Sequence, residues 1–434
     1  MTDEILKKIE EEKVRFIDLE FTDIYGALKS IEIPAESLED AIKNGVLFDG
    51  SSIKGFARIK DSDMNLMPDL STFSIIPGEE NKTGRFFCDI FTPDGEPFLG
   101  EPRAILKKVL GEAREMGYEF KVGPEVEFHL FRKHKDRVSI KESDNATYFD
   151  SPIGDFGSKI RKEVMMVLPE YNIKPERGHH EVGGVQHEIG FKYDDALITA
   201  DRVIILKNVI RTIAHQYGLV ASFMPKPRDK KPGSGMHVHF SLFGLDGKPI
   251  FYDENDPNKL SPLAKSFIAG QLAYIKEMAA ITNPTVNSYK RLVLGYEAPV
   301  YICWGSKNRS ALVRVPRYTS GKPNSVRGEL RCPDPSGSPY LVFAAILKAG
   351  LAGIKNNLEL MTETEENVFE NCSGLDVLPA SLDEAVLCFK KSRLMEDLVG
   401  KDFFKKYIEA KEDEVEEYRT AVTDWERKRY LEKC

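Results

Sequence analysis

Three short segments, far apart in the chain, alternate ionic and apolar residues, and this alternation constrains the fold more than any other feature. They cover residues 123–128 (GPEVEF), 236–241 (MHVHFS) and 327–331 (RGELR). Successive side chains of a β-strand point to opposite faces, so each segment would turn an apolar face to a core and an ionic face elsewhere. Buried carboxylates without a counter-charge are costly. The pattern therefore predicts a sheet whose ionic face binds a divalent metal ion and an anionic substrate held by arginines.

Composition limits the class of protein. The chain has 434 residues, 41% of them hydrophobic, which is enough for a large core and more than one domain. The net charge of −8 argues against nucleic-acid binding. We expect no secretory signal and no membrane span, since no apolar run approaches the roughly 20 residues that cross a bilayer. The six cysteines form no C-x-x-C pair, so we predict no zinc ribbon, no disulfide framework and a cytoplasmic location.

The order of secondary-structure signals predicts an α+β protein. The first hundred residues indicate a short helix followed mostly by strands, and the turn-rich residues 92–95 and 100–102 mark a domain boundary. We therefore expect domains at 1–98 and 99–434. In the second domain strands alternate irregularly with long helices. One helix is predicted from Asp195 to Tyr217 with Gly218 as its C-cap, and a capping box at 381–384 predicts another.

Residues 179–188 (HHEVGGVQHE) are the densest group of possible metal ligands. Glu181 and Glu188 flank a Gly-Gly turn and can converge on one ion from adjacent strand ends. Oxygen ligands favour Mg²⁺ or Mn²⁺, whereas a zinc site built from the histidines is the alternative. Glu125 and Glu127 alone could form a solvated face, but the apolar residues that follow them favour burial. His129 shares their face and is expected to have a structural role.

Arginines concentrate between residues 291 and 331 among apolar residues and prolines. Arginine binds carboxylate and phosphate groups through two parallel hydrogen bonds, so this density suits a substrate that carries both; exposed ion pairs are the alternative. Glu297, next to Gly295, could close over a site. The chain lacks both a complete G-x-G-x-x-G and a P-loop motif, so nucleotide binding of those two kinds is not supported. The arginines concerned are Arg291, Arg309, Arg314, Arg327 and Arg331.

Taken in order, eight motifs resemble those of glutamine synthetases of the bacterial and archaeal type I class over essentially the whole chain. They are 48–52 (FDGSS), 123–127 (GPEVE), 179–181 with 186–188 (HHE, QHE), 226–227 with 233–237 (KP, GSGMH), 287–291 (NSYKR), 295–299 (GYEAP), 308–310 (NRS) and 327–331 with 333–335 (RGELR, PDP). The resemblance implies a small β-grasp-like domain (1–98) followed by a catalytic domain (99–434) with a curved antiparallel sheet flanked by helices. It also implies a homo-oligomer, a dodecamer of two hexameric rings with active sites between subunits.

The implied reaction is ATP-dependent ligation of ammonia to the γ-carboxylate of L-glutamate through γ-glutamyl phosphate. Glutamate, ammonium and ATP would be its small-molecule partners, with two or more Mg²⁺ or Mn²⁺ ions in each site. By resemblance, one ion would be held by Glu127, Glu181 and Glu188, and another by Glu125, His237 and Glu329. Residues implied to contact the nucleotide or the moving phosphoryl group are Glu176, His239, Ser241, Arg309, Arg314 and Arg327.

The remaining implied roles concern glutamate and ammonium. Arg291 and Arg331 would bind glutamate, assisted by the Gly233 backbone. Asp49, from a neighbouring subunit, would accept a proton from ammonium beside Tyr148. Glu297 would close over the intermediate and keep water away from the acyl phosphate.

Three features bear on substrate binding and regulation. Pro232 stands where this family commonly carries an asparagine, and proline offers neither a side-chain amide nor an N–H. Residues 367–370 (NVFE) resemble the segment in which some type I enzymes are adenylylated on a tyrosine, but Phe369 has no hydroxyl. We therefore predict no adenylylation there. Arg58 resembles an arginine used for feedback inhibition in the non-adenylylated subclass.

Two other functions compete with glutamine synthesis. A related ligase could join the γ-carboxylate to a larger amine such as a polyamine, and the change at Pro232 leaves this open, whereas Asp49 suits ammonium. A catalytically silent structural or regulatory relative is the second alternative, and the large number of ionic groups argues against it.

Overall fold

The computed structural model of the chain describes residues 1–53, 63–78, 80–135, 137–140, 146–151, 153–295, 298–370 and 373–434. Arg58 and Glu297, both named above, lie outside the described residues. The fold consists of two sheets with most helices packed around the second one.

The first sheet lies in the N-terminal quarter of the chain and follows a helix, as the sequence predicts. Its strand order is β2-β1-β6-β4-β3, with β5 on β6, and β1 runs parallel to β6. Along β1, Ile17, Leu19 and Phe21 face the core; Glu20 is also buried because it forms an ion pair with Arg85. The six described strands are β1 Phe16–Thr22, β2 Leu28–Pro34, β3 Val46–Asp49, β4 Asp63–Pro68, β5 Ser74–Ile75 and β6 Thr83–Phe91.

The second sheet carries the three segments with alternating residues on neighbouring strands. Its order is β14-β15-β16-β13-β7-β10-β9, with β8, β11 and β12 also on β7, and every pair is antiparallel except β14 with β15. The ten described strands are β7 Tyr118–His134, β8 Arg137–Ser139, β9 Pro175–His180, β10 Gln186–Phe191, β11 Asp194–Asp195, β12 Leu219–Ser222, β13 Met236–Gly244, β14 Trp304–Ser306, β15 Val313–Val315 and β16 Gly328–Leu330.

The helices bury the apolar face of the second sheet and one another. Among the described helices, none has the length and hydrophobicity needed to cross a membrane. The described helices are α1 Thr2–Glu12, α2 Leu38–Asn44, α3 Pro102–Glu115, α4 Ser158–Val167, α5 Ala196–Gln216, α6 Pro262–Thr282, α7 Ser288–Arg291, α8 Pro339–Lys355, α9 Leu382–Lys390, α10 Arg393–Val399, α11 Lys401–Thr420 and α12 Asp424–Tyr430.

The two predicted helix ends agree with the structure in different degrees. Helix α5 ends at the predicted place, and Gly218 has the positive φ of 67° that a C-cap glycine tolerates. At α9 the Ser381 side chain accepts a hydrogen bond from the Glu384 N–H, but the Glu384 carboxylate accepts from the Ala380 N–H. The capping box is therefore only half formed.

The apolar half of each alternating segment forms the core, as predicted. Val126, Phe128, Val238, Phe240 and Leu330 are all buried. The opposite face of the same strands carries the ionic side chains. The combination of two sheets with separate helices confirms the α+β prediction.

Candidate active site

The ionic side chains of the second sheet form three rows across neighbouring strands. Residues directly opposite each other in paired strands lie on the same face, so the strand register sets these rows. Followed from strand to strand, the rows are Arg314–Glu329–His239, His237–Glu125–Gly190–Arg177 and Glu127–Glu188–His179.

Most of the residues singled out in the sequence surround one cavity of about 370 Å³, here called the larger cavity. Carboxylates and guanidinium groups face each other across it, which suits an anionic ligand bound with cations. Among the residues predicted above, those in its wall are Glu125, Glu127, Tyr148, Glu181, Glu188, Gly233, His237, His239, Arg291, Arg309, Arg314, Arg327, Glu329 and Arg331.

A smaller cavity, of about 320 Å³, adjoins the larger one. Its wall contains Glu176 and Ser241, both predicted to contact a nucleotide, and aromatic rings that include Tyr193 and Phe243. The Ser241 hydroxyl donates a hydrogen bond to the carbonyl oxygen of Val326 at 3.2 Å. Four residues line both cavities: Glu125, Arg177, His239 and Arg327.

The first ionic group consists of Glu125, His239 and Glu329, whose potential ligand atoms lie within 4.8 Å of one another. Arg327 Nε donates to His239 Nδ1 at 3.2 Å, so His239 carries its proton on Nε2, which lies 3.2 Å from Glu125 Oε1. Burial raises the pKa of Glu125, but the hydrogen bonds from His237 and His239 outweigh burial and lower it overall. The carboxylate is therefore ionised and ready to bind a cation.

The second ionic group consists of His179, Glu181 and Glu188. His179 Nδ1 lies 3.4 Å from Glu181 Oε1, and His179 Nε2 lies 3.7 Å from Glu188 Oε1. Burial raises the pKa of Glu188 well above its ordinary value, and repulsion from Glu125, Glu127 and Glu181 raises it further. A divalent cation would remove this repulsion.

The donor set fits hard divalent cations such as Mg²⁺ or Mn²⁺. Within the described part of the chain, Glu188 Oε1 is buried and accepts no hydrogen bond, and the guanidinium atom Arg177 Nε lies 3.6 Å away. Carboxylate oxygens with one imidazole in each group match the preference of these ions for oxygen ligands. A buried, unused acceptor of this kind is an atom that a bound cation would satisfy.

The grouping differs in part from the ligand sets implied by resemblance. His239, expected to contact the nucleotide, lies with Glu125 and Glu329, and His237 Nδ1, expected to be a ligand, also lies near both, at 3.4 Å and 3.7 Å. Glu127 is within the larger cavity, but its Oε2 already accepts hydrogen bonds from the Gln186 side chain at 2.8 Å and the Gly235 N–H at 2.9 Å.

The zinc alternative corresponds to a third group of possible ligands in the described part of the chain. His180 and His187 do lie near Asp155, all three of them buried. The Arg161 guanidinium already binds this group, with Nη2 at 2.5 Å from Asp155 Oδ2 and Nη1 at 2.8 Å from His187 Nδ1. A metal ion could use these ligands only after Arg161 had released them.

The arginines fall into two kinds. Arg291 is buried and donates to the carbonyl oxygens of Cys332 at 2.7 Å and Arg331 at 3.2 Å, so the backbone holds it in place. Arg331 Nη1 and Arg314 Nε lie 2.8 Å and 2.5 Å from the Glu329 carboxylate. Exposed Arg309 lines the larger cavity. The alternative of a surface of ion pairs therefore does not describe the buried arginines.

Glycine is required at position 233 by close packing. A Cβ there would lie 2.2 Å from the Pro225 carbonyl oxygen. The Gly233 carbonyl accepts a hydrogen bond from Gln186 at 3.0 Å, and the Gly235 N–H points at Glu127. This loop is therefore a shaped part of the cavity wall.

Two predicted residues stand apart from these groups. Tyr148 lies at the rim of the larger cavity, stacked on Phe149 with ring centroids 3.9 Å apart. Asp49 ends β3, where its carboxylate accepts hydrogen bonds from the Ser51 N–H and hydroxyl. Asp49 is not among the described residues that line either cavity. His129 is buried with Nδ1 3.0 Å from the Ser234 hydroxyl, in keeping with a structural role.

Gln186 and Arg177 are among the site residues that were not predicted. Gln186 connects Glu127, the Gly233 carbonyl and the Gly183 N–H through its side-chain amide. Arg177 forms ion pairs with Glu125 and Glu188. Gln186 belongs to a motif quoted above, which is a signal that could have identified it, whereas Arg177 depends on the pairing of β9 with β10.

Comparison with known proteins gives full-length matches. Residues 13–93 match the family model of the glutamine synthetase β-grasp domain and residues 99–430 that of the glutamine synthetase catalytic domain. The glutamine synthetase of Clostridium saccharobutylicum is 49% identical over 440 residues, 99% of this chain and 98% of the relative. That of Halobacterium salinarum is 45% identical over 439 residues, 99% and 96% of the two chains.

Solved structures of GmaS share the fold. A GmaS complex with ADP has a TM-score of 0.91 and 29% identity, covering 98% of this chain and 99% of that one. GmaS without ligand has a TM-score of 0.91 and 30% identity, covering both chains fully (100% each). The prediction of a β-grasp-like first part followed by a larger sheet with helices is confirmed.

Proposed function

The chain belongs to the glutamine synthetase family, and we propose that it ligates ammonia to the γ-carboxylate of L-glutamate through γ-glutamyl phosphate, with consumption of ATP. The family uses ATP and divalent metal ions. The observation that carries the assignment to this site is the shared wall of the two cavities. Glu125, Arg177, His239 and Arg327 stand where a nucleotide in the smaller cavity meets a carboxylate substrate in the larger one.

The smaller cavity suits the nucleotide and the larger one glutamate. Tyr193 and Phe243 supply aromatic surface for a base, while Glu176 and Ser241 supply polar groups for the sugar and phosphates. Arg291 and Arg331, held by the backbone and by Glu329, are placed to bind the substrate carboxylates, next to Gly233. Arg309, Arg314 and Arg327 would balance the phosphoryl oxygens.

The reaction then needs two substitutions. A γ-carboxylate oxygen of glutamate attacks the γ-phosphorus of ATP, the new P–O bond forms, and ADP leaves with the electrons of the broken bond. The ammonia nitrogen next attacks the acyl carbon, and phosphate leaves. Arginines placed before the reaction stabilise charge on the phosphoryl oxygens without reorganisation. Metal ions held by the two carboxylate groups would supply further positive charge beside the phosphates.

Ammonium must lose a proton before it can attack, and we propose Asp49 of a neighbouring subunit as the acceptor. Its place at the end of β3, away from both cavities of its own chain, supports this division of the site between subunits. Glu297, outside the described residues, is proposed to close over the acyl phosphate. We propose further properties on the resemblance alone. They are the domain limits 1–98 and 99–434, assembly into a two-ring dodecamer, a cytoplasmic location, no adenylylation at Phe369 and feedback control through Arg58.

The decisive experiment measures ADP and glutamine formation by purified protein with Mg²⁺, ATP and glutamate. We expect turnover that depends on ammonium, with equal amounts of ADP and glutamine, and loss of turnover in Glu329→Gln. If turnover does not depend on ammonium but increases with a polyamine, the protein ligates a larger amine and the proposed function is wrong. No turnover with either amine would mean a silent relative.

The shared site has its own test. Asp49→Asn and Glu329→Gln are each expected to be nearly inactive, whereas co-assembled mixed subunits should regain activity, because some sites combine an intact Asp49 with an intact Glu329. Asp63→Asn is the matched control, since Asp63 lies opposite Asp49 on β4. Mixtures without any gain in activity would contradict a site divided between subunits.

A further inference from the structure

Arg177 links the two ionic groups of the site. It lies on β9, an edge strand, with 59% of its side chain exposed. Its Nη2 donates a hydrogen bond to Glu125 Oε1, and its Nε lies 3.6 Å from Glu188 Oε1. These two carboxylates belong to different groups of potential metal ligands. One guanidinium therefore stands between the two places where cations are expected.

The Arg177 side chain crosses the strand between them at a glycine. Arg177 pairs with Gly190 of β10, and Gly190 pairs with Glu125 of β7. A Cβ at Gly190 would lie 3.7 Å from Arg177 Cγ and 3.9 Å from Nε, so the arginine side chain passes directly over the glycine. The guanidinium thereby reaches a carboxylate two strands away.

The guanidinium supplies charge that the carboxylates need. Glu125, Glu127, Glu181 and Glu188 all lie close enough for their negative charges to repel. Arg177 carries a fixed positive charge, whereas divalent ions carry twice as much and prefer the same oxygen atoms. Arginine and metal cannot both use these oxygens fully. Binding of metal must therefore weaken or break the ion pairs of Arg177.

We propose that Arg177 is an exchangeable counter-ion: it holds Glu125 and Glu188 together in the metal-free site and gives up both carboxylates when metal ions bind. This rests on the proposed function, since it takes the two ionic groups as the metal site. After release, Arg177 still lines the smaller cavity, where it is placed to contact the phosphates of ATP. Arg177 thereby sets how much metal the enzyme requires before it binds the nucleotide productively.

The test compares Arg177→Gln and Arg177→Lys with wild type. Calorimetry measures Mn²⁺ binding without nucleotide, and thermal unfolding is followed with and without Mn²⁺. We expect Arg177→Gln to bind Mn²⁺ about threefold to tenfold more tightly, since two ion pairs no longer oppose binding. Its metal-free form should melt at a lower temperature, and its KM for ATP should rise. The Mn²⁺ affinity of Arg177→Lys should lie between those of wild type and Arg177→Gln.

Lys174→Gln is the matched control. Lys174 is exposed just before β9, so its removal takes one positive charge from the same edge without touching the carboxylates. An equal gain in Mn²⁺ affinity in Lys174→Gln would overturn the proposal in favour of a long-range charge effect. Unchanged Mn²⁺ affinity with only a higher KM for ATP would also overturn it and leave Arg177 a simple phosphate contact. Either of these outcomes leaves the proposed function standing if the wild-type enzyme shows ammonium-dependent turnover. If the wild-type protein shows neither turnover nor Mn²⁺ binding, the proposed function and the role of Arg177 both fail.

Discussion

Two buried ionic clusters of this molecule are built in opposite ways. At the junction between the first sheet and the helices, Arg103 of α3 donates hydrogen bonds to Asp69, Asp89 and Asp201, at distances between 2.7 and 3.2 Å. Tyr340 donates a further bond to Asp201 at 2.6 Å. In the larger cavity, by contrast, several carboxylates face one another, and Glu188 Oε1 accepts no hydrogen bond within the described residues.

Asp69 and Glu188 show this difference in the direction of their pKa shifts. Burial also raises the pKa of Glu125 in the larger cavity, but its histidine partners lower it overall. Burial raises the pKa of Asp69, but hydrogen bonds from Ser71 and Arg103 outweigh burial and bring it to about 2. At Glu188 burial and repulsion act together and raise the pKa. A structural cluster supplies its own counter-charge, whereas a binding site leaves charge for its ligand to balance. The clusters should therefore respond differently when one member is removed.

The largest expected effect is on activity in the larger cavity. Glu188→Gln should lower kcat/KM about a thousandfold or more, equivalent to about 4 kcal/mol, because a metal ligand is lost. The metal-free variant should keep or increase its free energy of unfolding, because the substitution removes a repelled carboxylate. Steady-state kinetics and urea unfolding in EDTA measure both. Glu112→Gln is the control, since Glu112 pairs with Lys348 away from the cavities. A metal-free variant less stable by several kcal/mol would contradict the contrast between the clusters.

The Arg103 cluster should show the opposite behaviour. Arg103→Met is expected to reduce the free energy of unfolding by about 3–5 kcal/mol, because it leaves the buried Asp201 without a counter-charge, while Lys107 still pairs with Asp69 and Asp89. The folded fraction should retain its specific activity. Arg202→Met provides the comparison, since Arg202 pairs with the more exposed Asp194 and its loss should cost about 1 kcal/mol or less. Equal losses in the free energy of unfolding for the two variants, measured with denaturant, would contradict a structural role for Arg103.

Sequence alone predicts the parts of this site that obey the two-residue period of a strand. The alternation around Glu125, His237 and Glu329 identifies one ionic and one apolar face because local geometry determines it. Which strands are neighbours, and in which register, depends on contacts far apart in the chain. The approach of Arg177 to Glu125 across Gly190 is such a contact. The hydrogen bonds that Arg103 and Tyr340 donate to Asp201 are another. Neither set of contacts could be predicted from the spacing of residues in the sequence.

Gln186 offers a finer test inside the site, because it supports Glu127 without being charged. Gln186→Leu should lower the affinity for Mn²⁺ and the catalytic efficiency about tenfold to a hundredfold, as expected when a hydrogen bond that orients a ligand is lost. Gln186→Glu would place a second carboxylate beside Glu127 and should be more harmful. Calorimetric Mn²⁺ titration and the KM for glutamate measure the effects. If the Gln186 variants lose free energy of unfolding but bind Mn²⁺ with normal affinity, Gln186 contributes to packing and does not orient Glu127.

The smallest expected effect concerns acid. Because the pKa of folded Asp69 is about 2 and its ordinary value is 3.8, the stabilisation is fully present above pH 4 and is lost as the pH falls toward 2. Partial exposure screens the effect, so Asp69→Asn should remove about 1 kcal/mol of acid-sensitive stability. The raised pKa of Glu188 acts in the opposite sense: ionisation of the folded group costs stability as the pH rises above its ordinary value of 4.5. Unfolding of metal-free protein between pH 3 and pH 8 should therefore show Asp69→Asn less stable than wild type at neutral pH and converging with it toward the acid end, and Glu188→Gln more stable than wild type at neutral pH. Two variants that differ from wild type with the same sign at neutral pH would mean that the two clusters are electrostatically alike, and the distinction between a satisfied and an unsatisfied cluster would not hold.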